Sequence, residues 1–222
     1  MRIISGRFKG RIIKWPIGIR PTQDKVRKAL FDILGDIKGL SFLELYAGSG
    51  AVGLEALSQG ASKVVFVENN NQCLEIIKKN LRYLDTRYSI LDEGFLRAAS
   101  IEHQAVVITM DVFRAISLFS RKHKKFDIIF LDPPYYPECS YSKRPHFGIP
   151  QRYRSSQFIR DESLAKKALK TLSGYDILTS HSLIICQHFK KDILPEVIDN
   201  LKLVKQARYG DTVLSFYTKT IN

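Results

Sequence analysis

The chain has 222 residues, 45% of them apolar, and its 35 Lys and Arg against 22 Asp and Glu give a net charge of +13. That length suits one domain with a small appendage, and the apolar share excludes a disordered chain or a disulfide-stapled mini-fold. Cys73, Cys139 and Cys186 are an odd, scattered set without C-x-x-C spacing, which excludes a disulfide framework and a zinc signature and makes a reducing cytoplasm the expected compartment.

In chain order, residues 2–15 hold short apolar pairs (Ile3-Ile4, Ile12-Ile13) around Gly6 and Gly10, a pattern for a small β-hairpin. RPTQDKVRKALFDILG follows, with Thr22 as the expected N-cap, helical spacing over Val26, Leu30, Ile33 and Leu34, and Gly35 as the stop. From residue 41 strand and helix alternate. SFLELY (41–46), KVVFVE (63–68), AVVITM (105–110), FDIIFL (126–131) and SLIICQHF (182–189) predict buried strands. Residues 51–59, 72–84, about 112–120 and 161–174 predict helices, and 85–104 give little pattern beyond a short helix near Leu96–Ser100. The tail LKLVKQARYGDTVLSFYTK predicts a hairpin turning at Gly210-Asp211. Continuous apolar strands between helices mean an α/β fold with a doubly wound, mostly parallel sheet covered on both faces. No apolar run approaches the roughly 18–20 residues of a membrane span, and MRIISGRFKGRIIKWP has no signal-peptide core.

Three segments carry chemistry. Glu44-Leu45-Tyr46-Ala47-Gly48-Ser49-Gly50 leaves a strand and opens a helix, where glycines allow close approach and the helix N-terminus offers N–H groups to a ligand carboxylate or phosphate. Glu68 ends the next strand, where a carboxylate can accept both hydroxyls of a ribose. The pair suits a dinucleotide or S-adenosylmethionine; E-x-x-x-G-x-G disfavours the first, and the missing G-K-[ST] ending disfavours ATP. A tight turn without ligand is the plain alternative. Asp111, ending the third of these strands, either accepts from an adenine amino group or caps the following helix. Asp132-Pro133-Pro134-Tyr135 is the sharpest motif. Two prolines stiffen the turn and withhold two N–H donors, so carbonyls and the Asp carboxylate converge as acceptors on one point. A planar amino group with two N–H donors matches that point, and Tyr135 would stack on a base for about 1–3 kcal/mol. A rigid strand-closing turn is the alternative.

RIISGRFKGR, IRPTQDKVRKALFDIL, ELYAGSGAVGLEAL, VFVE, FDIIFLDPPY and YGDTVLSFY, in this order and spacing, resemble the RsmD-type bacterial family, which methylates the exocyclic N2 of a guanine in 16S ribosomal RNA. The resemblance implies a seven-strand, Rossmann-like methyltransferase sheet, six strands parallel and one antiparallel, with a hairpin over 1–20 ahead of a methyltransferase domain over 21–222. It implies S-adenosylmethionine held by Glu44, Tyr46, Ala47, Gly48, Ser49, Gly50, Glu68, Asn69, Asp111 and Val112. Asp132, Pro133, Pro134 and Tyr135 would form the amino-group site. Arg20, Pro21 and Thr22 would lie near the methionine end or the RNA entrance. Glu44 stands where an aspartate is common, and Gln187 stands where the family often has a glutamate, so no role is carried onto Gln187. The stretch 136–160 is longer than the family norm.

The charge is uneven. Residues 1–40 hold ten basic and three acidic groups, and 139–160 hold five basic and none acidic, with four aromatics. Arg7, Lys9, Arg11, Arg20, Thr22, Lys143, Arg144, Arg152 and Arg154 are the expected RNA contacts. The expectation is a monomeric enzyme of the small ribosomal subunit's RNA, with neither a membrane nor a metal partner. An adenine or cytosine amino group, a protein glutamine, or a binding protein without catalysis are the other readings.

Overall fold

The apolar runs after residue 40 fold as the parallel part of one nine-stranded sheet. The computed structural model describes residues 1–16, 22–91, 104–134 and 163–220. Its elements in chain order are α1 (Asp24–Leu34), β1 (Ser41–Leu45), α2 (Ala51–Ser58), β2 (Lys63–Glu68), α3 (Asn71–Tyr83), β3 (Tyr88–Leu91), β4 (Ala105–Thr109), α4 (Val112–Arg121), β5 (Phe126–Leu131), α5 (Leu164–Gly174), β6 (Leu178–Phe189), β7 (Val197–Ile198), β8 (Leu201–Tyr209) and β9 (Thr212–Lys219). The strand order is β3-β4-β2-β1-β5-β6-β9-β8-β7. The first six are mutually parallel, and β9 enters antiparallel between β6 and β8.

The fold class is the expected one, a doubly wound, mostly parallel sheet, but the expected seven strands become nine among the described residues. Tyr88–Leu91 adds a strand at one edge, within a segment whose polar mixture hid it, and the two-residue β7 adds another at the far edge. Side-chain alternation explains why the central strands are apolar throughout. Phe42, Val64 and Phe66 face the layer of α1–α3. Leu43, Leu45, Val65 and Val67 face α4 and α5.

Two local expectations change. The cap of α1 is Gln23, without a side-chain bond, rather than Thr22. The N-terminal segment forms no strands. It closes as a short hairpin through the Arg2–Ile12 bridge and the antiparallel bonds of Ile3 N–H to Arg11 O, Gly10 N–H to Ile3 O and Ile13 N–H to Met1 O, with Ile3, Phe8 and Ile13 in the core. Its backbone also binds α2: Arg7 N–H donates to Ser58 O at 2.7 Å, and Phe8 N–H to Ser58 Oγ at 2.9 Å. Gly6, at φ +76°, passes so close that a Cβ there would land on the Ser58 carbonyl.

Candidate functional site

Sheet register fixes where the site lies. Leu45 aligns with Val67 on one side and Leu131 on the other, and Leu131 aligns with Cys186. The turns after β1, β2, β4 and β5 therefore open at one edge. The crevice forms beside β1, where the chain order reverses, the usual ligand position in such sheets.

After β1 the chain turns through Tyr46 (φ 58°), Gly48 (φ 54°) and Gly50 (φ 74°). This left-handed run costs glycine little and explains two of the loop's residues. Gly50 N–H donates to Ala47 O at 2.7 Å, which closes the turn ahead of α2. A Cβ on Gly48 would meet nothing nearer than Tyr46 O at 4.0 Å, so this point of the loop lies open.

Two N–H groups in the first turn of α2 are already taken. Glu44, 3% exposed, takes Val52 N–H at 3.3 Å and Gly53 N–H at 2.9 Å. Its backbone partners favour the ionised form, yet burial dominates and pushes the carboxyl up to about 8, helped by the nearby charges of Asp132 and Glu68. Glu44 thus anchors the loop from within. Gly53 is part of that device, since a Cβ there would come within 2.7 Å of Glu44 Oε2.

Glu68 is fixed by three backbone donors. Gly48 N–H donates to Oε2 at 2.8 Å, and Asn69 and Asn70 N–H donate to Oε1 at 2.8 and 2.9 Å. The carboxylate ties the glycine loop to the turn after β2, with Asn69 exposed beside it. Ala47 and Ser49 are buried, and so is Val112, the first residue of α4. Asp111 is the N-cap of α4: its Oδ1 accepts from Phe113 N–H at 3.0 Å and Arg114 N–H at 3.3 Å.

Asp132 leaves β5 half-buried, with Pro133 buried and Pro134 exposed. Gln187 Nε2 donates to Asp132 Oδ2 at 2.8 Å from the neighbouring β6. Cys186, beside it in sequence, is fully buried, and its thiol is pushed well above the ordinary range by burial and then by Asp132. It is no thiolate nucleophile.

Tyr135, Arg20, Pro21, Lys143, Arg144, Arg152 and Arg154, with Cys139 and the helix expected near Leu96–Ser100, lie outside the described residues. Arg7, Lys9 and Arg11 are exposed. The guanidinium of Arg7 lies 4.3 Å from the Phe8 ring centre and that of Arg11 5.4 Å. Thr22 is half-buried ahead of α1.

Residue spacing missed three features: Asn80, the Arg27–Glu55 pair and Gln187. Asn80, 1% exposed, accepts from Lys14 N–H at 2.8 Å and donates to Lys14 O at 2.9 Å and Ser49 O at 3.3 Å. It latches the N-terminal segment to the glycine loop; the available signal was an Asn on the buried face of α3. Arg27 and Glu55, both fully buried, pair at 3.4 Å. Glu55 also accepts from Ile4 and Ser5 N–H at 2.9 Å each. Gln187 is the third.

Among the described residues there is no cluster of three His, Cys, Asp or Glu that could hold a metal, and no helix long and apolar enough to cross a membrane.

The family profile described as "Conserved hypothetical protein 95" matches residues 1–144. "Putative rRNA methyltransferase YlbH" of Bacillus subtilis is 30% identical over 222 residues, 99% of each chain. "Ribosomal RNA small subunit methyltransferase D" of Haemophilus influenzae is 34% identical over 141 residues; the match covers 61% of this chain and 64% of that one. Among solved structures, "Putative methyltransferase yhhF from Escherichia coli" superposes with TM-score 0.71 at 26% identity, covering 100% of this chain and 99% of that one.

Proposed function

The chain belongs to the RsmD-type family described as Conserved hypothetical protein 95, and from that premise we propose that it methylates the exocyclic N2 of a guanine in 16S ribosomal RNA, using S-adenosylmethionine. The observation that carries the reading is the Asp132-Pro133-Pro134 turn at the carboxyl end of β5, on the same edge as the glycine loop and Glu68. Its relatives include proteins named as ribosomal RNA methyltransferases.

The residues fit the cofactor. Glu68 stands ready-oriented for a ribose diol. The loop from Tyr46 to Gly50 is open at Gly48, and Asp111 with Val112 borders the crevice after β4 for an adenine. Bound there, S-adenosylmethionine supplies a methyl on a sulfonium centre, open to in-line displacement.

The chain's own part is positioning. Asp132 accepts an N–H of the target amino group, and the carbonyls of the proline turn accept the other. Holding both bonds aims the nitrogen along one line, and Asp132 stands at the proton that nitrogen sheds. Both prolines lack an N–H, so no backbone donor at those positions competes for the site. Stacking in a duplex hides the amino group, so the target base is unpaired or flipped out. Tyr135 stacks on it. The cations Arg7, Lys9, Arg11 and Arg20 on segment 1–20, with Thr22, and Lys143, Arg144, Arg152 and Arg154 after the catalytic turn, grip the RNA on two sides. The chain works in the cytoplasm as a monomer.

The test is transfer of labelled methyl to unmethylated small ribosomal subunits, naked 16S RNA and DNA in parallel. Label in subunits or 16S RNA is expected; label in DNA alone overturns the substrate.

A further inference from the structure

We propose that Gln187 reads the target base: its Oε1 accepts the ring N–H beside the amino group that Asp132 holds, and this selects guanine. The inference rests on the guanine reading above and adds the residue that enforces it.

Leu131 pairs with Cys186 across β5 and β6, so Asp132 and Gln187 are the next residues along the two strands. The Gln187 amide donates from Nε2 to Asp132 Oδ2 at 2.8 Å. That bond fixes which way round the amide sits, because the reverse would set Oε1 against the carboxylate. Gln187 is 5% exposed, and its Oε1 is buried with no hydrogen-bond partner. A buried acceptor without a donor forfeits its hydration with nothing in return. Native chains seldom leave such a group idle outside a functional site. Oε1 is two covalent bonds from the nitrogen that touches Asp132, so the orphan belongs to the amino-group site.

Gln187 Oε1, beside the Asp132 carboxylate, calls for a donor next to the amino group that Asp132 holds. Guanine presents both, the exocyclic amino group on C2 and the adjacent N1–H. In adenine and in cytosine the ring nitrogen next to the amino group carries a lone pair. Either base would set that lone pair against Oε1. A glutamine side chain ends in its amide and has no second N–H to offer. The strand pair thus separates the amino groups that the proline turn alone treats alike.

The experiment first identifies the methylated nucleoside in 16S RNA. That guanine is then replaced by 2,6-diaminopurine, which keeps the 2-amino group but exchanges N1–H for a lone pair. Single-turnover transfer by the full chain is measured on both RNAs. A site built around a hydrogen bond rejects an analogue lacking the donor strongly, so wild type should favour guanine by about 100-fold. Gln187→Leu should lose most of its rate on guanine, keep S-adenosylmethionine binding by calorimetry, and show nearly equal rates on the two RNAs. A fold defect alone would lower both rates together and leave the ratio intact. Equal rates with wild type, or an undiminished ratio in Gln187→Leu, overturn the proposal, the first without any substitution. Methyl found on adenine or cytosine overturns the guanine reading itself, and that outcome is seen before the analogue is made.

Discussion

Helix α2 involves two buried carboxylates, one from β1 at its start and one of its own, that are satisfied in opposite ways. Glu44, on β1, takes only backbone N–H groups at the start of the helix, and burial pushes it up to about 8. Glu55, in the second half of the helix, meets Arg27 and the backbone of residues 4 and 5. Glu68 repeats the first pattern, with three backbone donors. The difference teaches that the crevice end keeps its acids among dipoles. The far end is locked by a cation instead.

The comparison breaks most visibly at Asp132. Asp132→Ala should lower methyl transfer by at least about 1,000-fold, since it removes a preorganised acceptor at the reacting nitrogen, while calorimetric S-adenosylmethionine binding stays near wild type. Equal losses of both would make Asp132 structural. At the locked end, Arg27→Met leaves Glu55 charged and buried, and urea unfolding should show a loss of about 3–5 kcal/mol. Adding Glu55→Gln, which keeps an acceptor for the Ile4 and Ser5 N–H groups, should return much of it; no recovery would mean that Arg27 acts through packing and its bond to Arg2 O. At the crevice, Glu68→Gln should weaken S-adenosylmethionine about 10–100-fold, the worth of a charge-assisted hydrogen bond, and lower the unfolding midpoint as well, since its NH2 would meet a backbone N–H that the carboxylate now accepts.

The pH dependence is a smaller effect and sharpens the contrast within α2. Glu44 titrates near 4.5 when unfolded and near 8 when folded. The folded chain binds the extra proton between those values, so this contribution to stability is complete below pH 4.5 and is lost as pH rises through about 8. Glu44→Gln should flatten that fall in denaturant midpoints measured across pH 5–8; an unchanged slope would contradict it. His188, held below its ordinary 6.5 chiefly by burial, acts the other way and costs stability as pH falls below 6.5. Smallest is the RNA effect: replacing Arg144, Arg152 and Arg154 together should reduce the salt slope of RNA binding by about 2 units if all three meet phosphates.

The parallel strands, their helices and the closing hairpin were legible because buried strands and amphipathic helices impose period and composition directly. The glycine loop, Glu68 and Asp132 were legible as motifs, since backbone turns and strand ends constrain residue type locally. What spacing hid depends on contacts distant in sequence. Arg27–Glu55 joins two helices 28 residues apart, Asn80 meets Lys14 across 66 residues, and Gln187 meets Asp132 across 55. The N-terminal hairpin keeps its closing bonds, Ile3 N–H to Arg11 O and Ile13 N–H to Met1 O, while the donors of residues 4, 5, 7 and 8 are claimed by Glu55 and Ser58, again across about 50 residues.

The most direct test of the central claim is to digest 16S RNA from small subunits treated with the chain and S-adenosylmethionine and to identify the new methylated nucleoside by mass. The account predicts N2-methylguanosine at one position, absent when Asp132→Ala is used. A methylated adenosine or cytidine, or the same guanosine product at full yield from Asp132→Ala, would contradict it.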